Sequence, residues 1–268
     1  VKRVLIKGGS VISMDAAVKD LPRGDVLIED DRIAAIAPQL QADDTETIDA
    51  AGMIVLPGLI NAHVHTWQSG LRGIAGDWTV GKYMKAMHGG LAGHFQADDV
   101  YIANLVGALN ALNSGATTLV DWCHCNRTPD ITDAAIAGLA ESGARALFLH
   151  GSPKPNAKPG EKHFSEIPMP RAEIDRLRKG DFSSSDRLVT LGLAILGPGY
   201  SVREVTRADV LLAREFGLIA SMHIGGGPML QPGGFEVLLA EGLIGPNFNI
   251  VHGNDIKPEL VRALAAQG

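Results

Sequence analysis

The chain has 268 residues, 46% of them hydrophobic, with a formal net charge of -6 and a pI near 5.8. That length supports one large core, or a large core plus a small one. The acidic balance, with no basic stripe, excludes a surface built for phosphate backbones and leaves no expectation of a nucleic-acid partner.

The start, VKRVLIKGG, has no long apolar core and no small-residue cleavage site, so it does not read as a signal peptide. No apolar run reaches the ~18 residues of a membrane span, and the expected location is the cytoplasm, away from membranes. Residues 1–55 read as short strands: Val4-Leu5-Ile6, then Gly8-Gly9, then Val11-Ile12. Val26-Leu27-Ile28 enters the acidic turn Glu29-Asp30-Asp31-Arg32, and Ile33 to Ile36 resumes the apolar pattern, which is hairpin grammar. Thr47-Ile48-Asp49 adds another short strand.

After Pro57-Gly58 the rhythm changes. Leu59 to His65 is a predicted strand with polar residues at odd positions. Residues 73–95, glycine-rich and mixed in pattern, suggest a lid of broken helices, with His88 and His94 solvated or capping. Residues 98–113 form a predicted helix with Asp98 and Asp99 at its positive end and an apolar stripe of Ile102, Leu105, Val106, Leu109 and Leu112. Ala116–Asp121 is strand, 130–142 helix and 144–149 strand. Residues 151–170 form a long loop whose Lys154, Lys158, Lys162 and His163 read as exposed charges of local positive character, which leaves an anionic substrate open without arguing for one. Then come helix 171–179, strand Leu188–Leu196, helix 204–216, strand Leu218–His223, helix 233–241, strand Phe248–His252 and helix 258–266.

Strand and helix thus alternate about six times with no hairpin after residue 57, which requires parallel strands with crossover helices. An open doubly wound sheet and a (β/α)8 barrel both satisfy this. No Gly-x-Gly-x-x-Gly follows an early strand, which weakens the dinucleotide version. Six units are fewer than eight, so the barrel reading has the chain stopping before a seventh strand.

His63 and His65 leave one face of their strand together with Asn61. His223 and His252 each end a later strand and precede a glycine-containing loop, at the strand ends where a parallel barrel gathers its functional groups. Neutral imidazoles suit a divalent ion such as zinc, iron or nickel. His63, His65 and His223 are expected as ligands, with an open position for a water whose pKa the ion lowers. His252 either adds a ligand or hydrogen-bonds the attacked group. Asp121 is either a candidate base or a cap for the turn after its strand. Cys123 and Cys125 are too few and too close for a disulfide framework, nothing nearby completes a structural zinc site, and they read as free thiols in a reducing compartment.

The stretch VLPGLINAHVHTWQSGLRG, residues 55–73, resembles the amidohydrolase superfamily, whose first barrel strand begins Pro-Gly-hydrophobic-Ile-x-x-His-x-His. SGATTLVD at 114–121 is similar to that superfamily's second strand, and the His223 and His252 strands to its fifth and sixth. Leu71-Arg72-Gly73 points to the chlorohydrolase and aminohydrolase branch, which includes triazine hydrolases and guanine, cytosine and adenosine-type deaminases. The resemblance implies a TIM-like (β/α)8 barrel over residues 56–268, C-terminally incomplete with strands 1–6 only, and the N-terminal part of a composite β-sandwich over residues 1–55. It implies one zinc or iron on His63, His65 and His223, with His252 near the reacting centre. No lysine ends the fourth strand, so a two-metal carbamylated-lysine centre is not expected.

Two departures from the branch stand out. Gly226 occupies the position of its proton-shuttling glutamate, and its eighth-strand aspartate would lie beyond Gly268, so a longer biological polypeptide is expected. Trp67, Gln68 and Arg72 after the first strand, and Trp122, His124 and Asn126 after the second, are candidates to line the mouth; for each tryptophan the competing expectation is packing beneath a loop. The leading expectation is hydrolysis of a non-peptide carbon–nitrogen bond in a small molecule, deamination of an aminated N-heterocycle or cyclic amidine. The alternatives are a cyclic-amide or dechlorinating hydrolase, and a catalytically inactive metal-binding or assembly protein. Relatives often form homo-oligomers, but no patch in the sequence establishes one.

Overall fold

The computed structural model describes residues 1–156, 158–225 and 227–268. The chain divides into two compact units, Val1–Leu59 and Ile60–Gly268.

The first unit is a five-stranded mixed sheet built from β1 (Arg3–Val11), β2 (Leu21–Glu29), β3 (Arg32–Ala37), β4 (Glu46–Asp49) and β5 (Ile54–Val55). β2 and β3 pair antiparallel across the acidic turn, β1 pairs antiparallel with β2, and β4 and β5 lie parallel to β1. The two short strands expected on either side of Gly8-Gly9 are one strand. It shifts register around Gly9, where Gly8 adopts φ 79°. Buried Asp25 holds this irregularity, accepting from Gly8 N and Leu40 N at 2.8 Å each.

The second unit is a six-stranded sheet in the order β11-β10-β9-β8-β7-β6. Its strands are β6 (Leu59–Val64), β7 (Ala116–Cys123), β8 (Arg145–Gly151), β9 (Val189–Ala194), β10 (Ala220–Ile224) and β11 (Phe248–His252). The pairings from β7 to β11 are parallel. Among the described residues eight helices interleave: α1 (Val80–Tyr83), α2 (Ala97–Asn113), α3 (Pro129–Glu141), α4 (Arg171–Lys179), α5 (Gly197–Tyr200), α6 (Arg203–Glu215), α7 (Gly234–Ala240) and α8 (Pro258–Ala265). The short α5 has no counterpart in the sequence reading. Around α1 the expected lid of broken helices is present, continuing in a π-turn at Met84–His88 and a 3-10 turn at Leu91–His94.

The sheet is curled into most of a barrel. β6 and β10 are separated by three strands, so in a flat sheet they would lie about 19 Å apart at about 4.8 Å per step; yet His63 Nε2 and His223 Nε2 are 3.1 Å apart. Strand alternation sorts the side chains into two cores. Trp122, Leu149, Ala194 and Val251 fill the inside, while Leu119, Phe148, Leu193, Met222 and their neighbours pack under the helices.

The apolar stripe expected on α2 is a correction. Ile102, Val106 and Leu109 are exposed, and the buried face is Val100, Ala103, Asn104 and Ala108. Close helix crossing rewards small residues here more than large ones. A Cβ on Gly138 of α3 would sit 2.4 Å from Tyr101 O, and Asn104 Nδ2 donates to Ala135 O at 2.9 Å. Among the described residues, no helix is long and apolar enough to cross a membrane.

Candidate metal centre

β6 carries His63 inward and the chain leaving it carries His65; β10 brings His223 to them. One ligand-capable atom from each lies within 4.8 Å of the others. His65 is fixed by a 2.7 Å contact between Nδ1 and Trp122 O. A carbonyl only accepts, so Nδ1 carries the proton and Nε2 keeps a free lone pair, as a ligating histidine requires. Nδ1 of His63 and of His223 are buried without a partner. Two nitrogens bound to one tetrahedral zinc lie about 3.3 Å apart, close to the 3.1 Å separating His63 Nε2 from His223 Nε2. Burial holds all three rings neutral: it lowers His63 to about 4 and His65 to about 3, and lowers His223 as well. Neutral, convergent and under-bonded imidazoles fit one divalent ion.

The turn after His65, Thr66–Leu71, is seated by two contacts. Asp121 Oδ1 accepts from Thr66 N, and Gly107 of α2 lets the turn approach so closely that a Cβ there would meet Ser69 Oγ at 2.3 Å. Asp121 is therefore not a cap for the turn after its own strand. It faces the helices with Leu119 and Cys123, fully buried, and burial raises its carboxyl to about 6.

His65 and His223 open onto a cavity of about 370 Å³ whose lining also includes Tyr83, His88, His124, Lys154, Tyr200, His252 and Asp255. A scan against family models matches residues 54–230 to the amidohydrolase family. The chain belongs to that family.

Amidohydrolase relatives include a 5'-deoxyadenosine deaminase of Methanosarcina mazei, 30% identical over 148 residues, which are 55% of this chain and 33% of that protein. A 5-methylthioadenosine/S-adenosylhomocysteine deaminase of Carboxydothermus hydrogenoformans is 26% identical over 226 residues, 82% of this chain and 48% of that one. This chain thus spans between a third and a half of the length of these relatives. Among solved structures, a triazine hydrolase variant superposes with a TM-score of 0.86 at 22% identity, covering 100% of this chain and 64% of that one. An adenosine deaminase from Xanthomonas campestris with bound zinc gives 0.69 at 18%, covering 99% and 61%. These likenesses show the amidohydrolase barrel.

Within that barrel His252 arrives by an unexpected route. It pairs with Ile224, whose side chain belongs to the helix layer, while Val251 takes the inward position beside His223. A left-handed φ of 68°, uncommon for a residue with a side chain and typical of functional sites, turns it to line the cavity. Its ring lies 5.7 Å from that of His63 and 5.4 Å from that of His223. His150 is the opposite case. It also ends a strand, but it shares the parity of Phe148, is buried on the helix side with neither ring nitrogen partnered, and is held down to about 4 by burial.

The other sequence candidates fall at different depths. His124 lines the cavity, its ring 4.3 Å from that of His65, and its Nδ1 accepts from Trp67 Nε1 at 3.3 Å. Trp67 and Trp122 are buried and pack beneath the site; Trp122 Nε1 donates to Ser221 Oγ at 3.2 Å. Gln68 and Arg72 border a second cavity with Ser69 and Asn110, on the other side of His65, which lines both. Asn126 is buried, donating to Cys123 O and Gly151 O. Gly226 lies outside the described residues. Two charge readings are corrected. His88 is buried at the cavity wall, hydrogen-bonded to Tyr83 OH at 3.2 Å and lowered to about 3 by desolvation, whereas His94 is exposed. Lys154 is buried, not part of an exposed basic loop, while Lys158, Lys162 and His163 are exposed. Lys154 lies three residues past the end of β8, in the loop that leaves the strand's carboxyl end, and extending the strand-end rule into that loop would have found it.

Proposed function

We propose that this protein is a mononuclear metal-dependent hydrolase that cleaves a non-peptide carbon–nitrogen bond, deaminating an aminated N-heterocycle or cyclic amidine. The observation that carries the reading is the convergence of His63, His65 and His223, two of which, His65 and His223, line the cavity. Deaminases among the curated relatives support the reaction class, and the zinc-bound structural relative supports zinc over iron. When bound, such an ion supplies Lewis acidity and a water ionising near neutral pH.

In this reading His63, His65 and His223 are the ligands, with His65 locked in one tautomer by Trp122 O. His252, which lines the cavity, donates to or accepts from the substituent on the attacked ring carbon. Tyr83 and His88, from the broken helices over the mouth, exclude water. Residues 1–55 are the N-terminal part of a β-sandwich domain attached to the barrel of 56–268, a division supported by the change of unit at Leu59. Two free buried thiols support a reducing, cytoplasmic setting.

The test is ammonia release from aminated purines, pyrimidines and triazines with zinc, iron or manganese supplied, with chloride release followed on chlorotriazines. Ammonia from at least one ring class is expected. Chloride alone moves the assignment to dechlorination, and no turnover of any ring with any of the metals rejects it.

A further inference from the structure

Lys154 is a cation that the protein's own contacts do not account for. It is 7% exposed and is the one lysine or arginine among the described residues lining the cavity of His65, His124 and His223. Nζ lies 5.4 Å from the ring centroid of Trp122 and 5.0 Å from that of Tyr200. Both rings are anchored: Trp122 through Ser221 Oγ, and Tyr200 by donating its hydroxyl to Gly225 O at 2.6 Å. Asp255 is the one carboxylate among the described lining residues; it is exposed and forms no ion pair with Lys154. Two ring faces offset only part of what it costs to take an ammonium out of water. The N–H donors of Lys154 are left to whatever enters the cavity.

We propose that Lys154 is the substrate-selecting group of this site, binding a negatively charged oxygen on the ligand, so that the preferred ligands are N-heterocycles carrying an ionised ring oxygen or a carboxylate. The inference rests on the hydrolase reading for its substrate class, but its binding chemistry stands apart from turnover. The fixed aromatic faces place the charge in one direction, so a uniformly amino-substituted ring gains nothing from it.

The experiment is calorimetric titration of the protein with three pyrimidines: barbiturate for a ring oxyanion, orotate for a ring carboxylate, and neutral 2-aminopyrimidine. It is run with zinc and again after chelation, because a bound ion also attracts anions. In both states barbiturate or orotate is expected to bind at least about tenfold more tightly than 2-aminopyrimidine. Lys154→Met is expected to abolish that preference and Lys154→Arg to retain most of it. The tighter anion tells ring oxygen from carboxylate. Equal affinities in the wild type, or an unchanged preference in folded Lys154→Met, overturns the proposal; if that variant does not fold, Lys154→Gln carries the same comparison. A preserved anion preference without ammonia release from any substrate sinks the hydrolase reading and leaves this one standing.

Discussion

Asp121 Oδ1 accepts a 2.9 Å hydrogen bond from Thr66 N, tying the end of β7 to the residue that leaves His65. The contact is buried on the helix side of the sheet, so it positions the ligand strand without touching the cavity. Asp121→Ala leaves the Thr66 amide unpaired and is expected to cost about 1–3 kcal/mol in urea unfolding, with weakened zinc affinity. Asp121→Asn keeps an acceptor and is expected to stay near wild type in both. Identical losses in the two variants would show that the hydrogen bond is not what seats the turn.

Metal content gives the most direct check on the three imidazoles. About one ion per chain is expected by mass spectrometry, lost largely in His63→Ala and in His65→Ala. Because the ion binds the folded chain, chelation is expected to lower stability, by about 2.7 kcal/mol if free metal stood at a hundred times its Kd. Undiminished occupancy in both variants contradicts the ligand assignment.

Tyr83 couples the lid to the barrel. Its hydroxyl accepts from Gln68 Nε2 at 2.7 Å and pairs with His88 Nε2 at 3.2 Å. Tyr83→Phe leaves buried His88 without this partner and half-buried Gln68 with solvent in its place, and a loss of about 1 kcal/mol is expected. Protease cleavage within 73–95 should accelerate with it. Cleavage at the wild-type rate would mean the lid is held by packing alone.

Asp209 of α6 sets a pH dependence remote from the cavity. Burial raises its carboxyl from 3.8 to about 7, opposed by the hydrogen bond it accepts from Met169 N. Between those values the folded chain holds a proton that the unfolded chain has released. The contribution is therefore complete below about pH 4 and fades as pH rises through about 7. Asp209→Asn keeps the acceptor and cannot ionise, so it should be the more stable protein at pH 8, by up to about 4 kcal/mol at 1.36 kcal/mol per unit. The two should converge at pH 4. Parallel unfolding curves at both pH values would refute the assignment.

Local periodicity made much of this molecule legible from the amino acids alone. The alternation of strands and helices, the shared face of His63 and His65, the broken helices of 73–95 and the strand-end placement of His223 all follow from spacing along a few residues. The same rule treated His252 as equivalent to His223, but His252 sits one register step off and is brought inward by a left-handed backbone turn. Strand ends are readable in one dimension, whereas the side a ring faces depends on pairing. His150 makes the point in reverse, ending a strand yet facing the helices.

The amino-acid order determined which elements form and which side chains they can offer. Only the tertiary structure decided which face α2 buries, that Lys154 is enclosed between Trp122 and Tyr200, and that nitrogens 160 residues apart meet at 3.1 Å. The physical reason is range. Spacing acts over one turn or one pleat, while burial and ring convergence arise from curling of the sheet, and no short window of sequence contains that curvature.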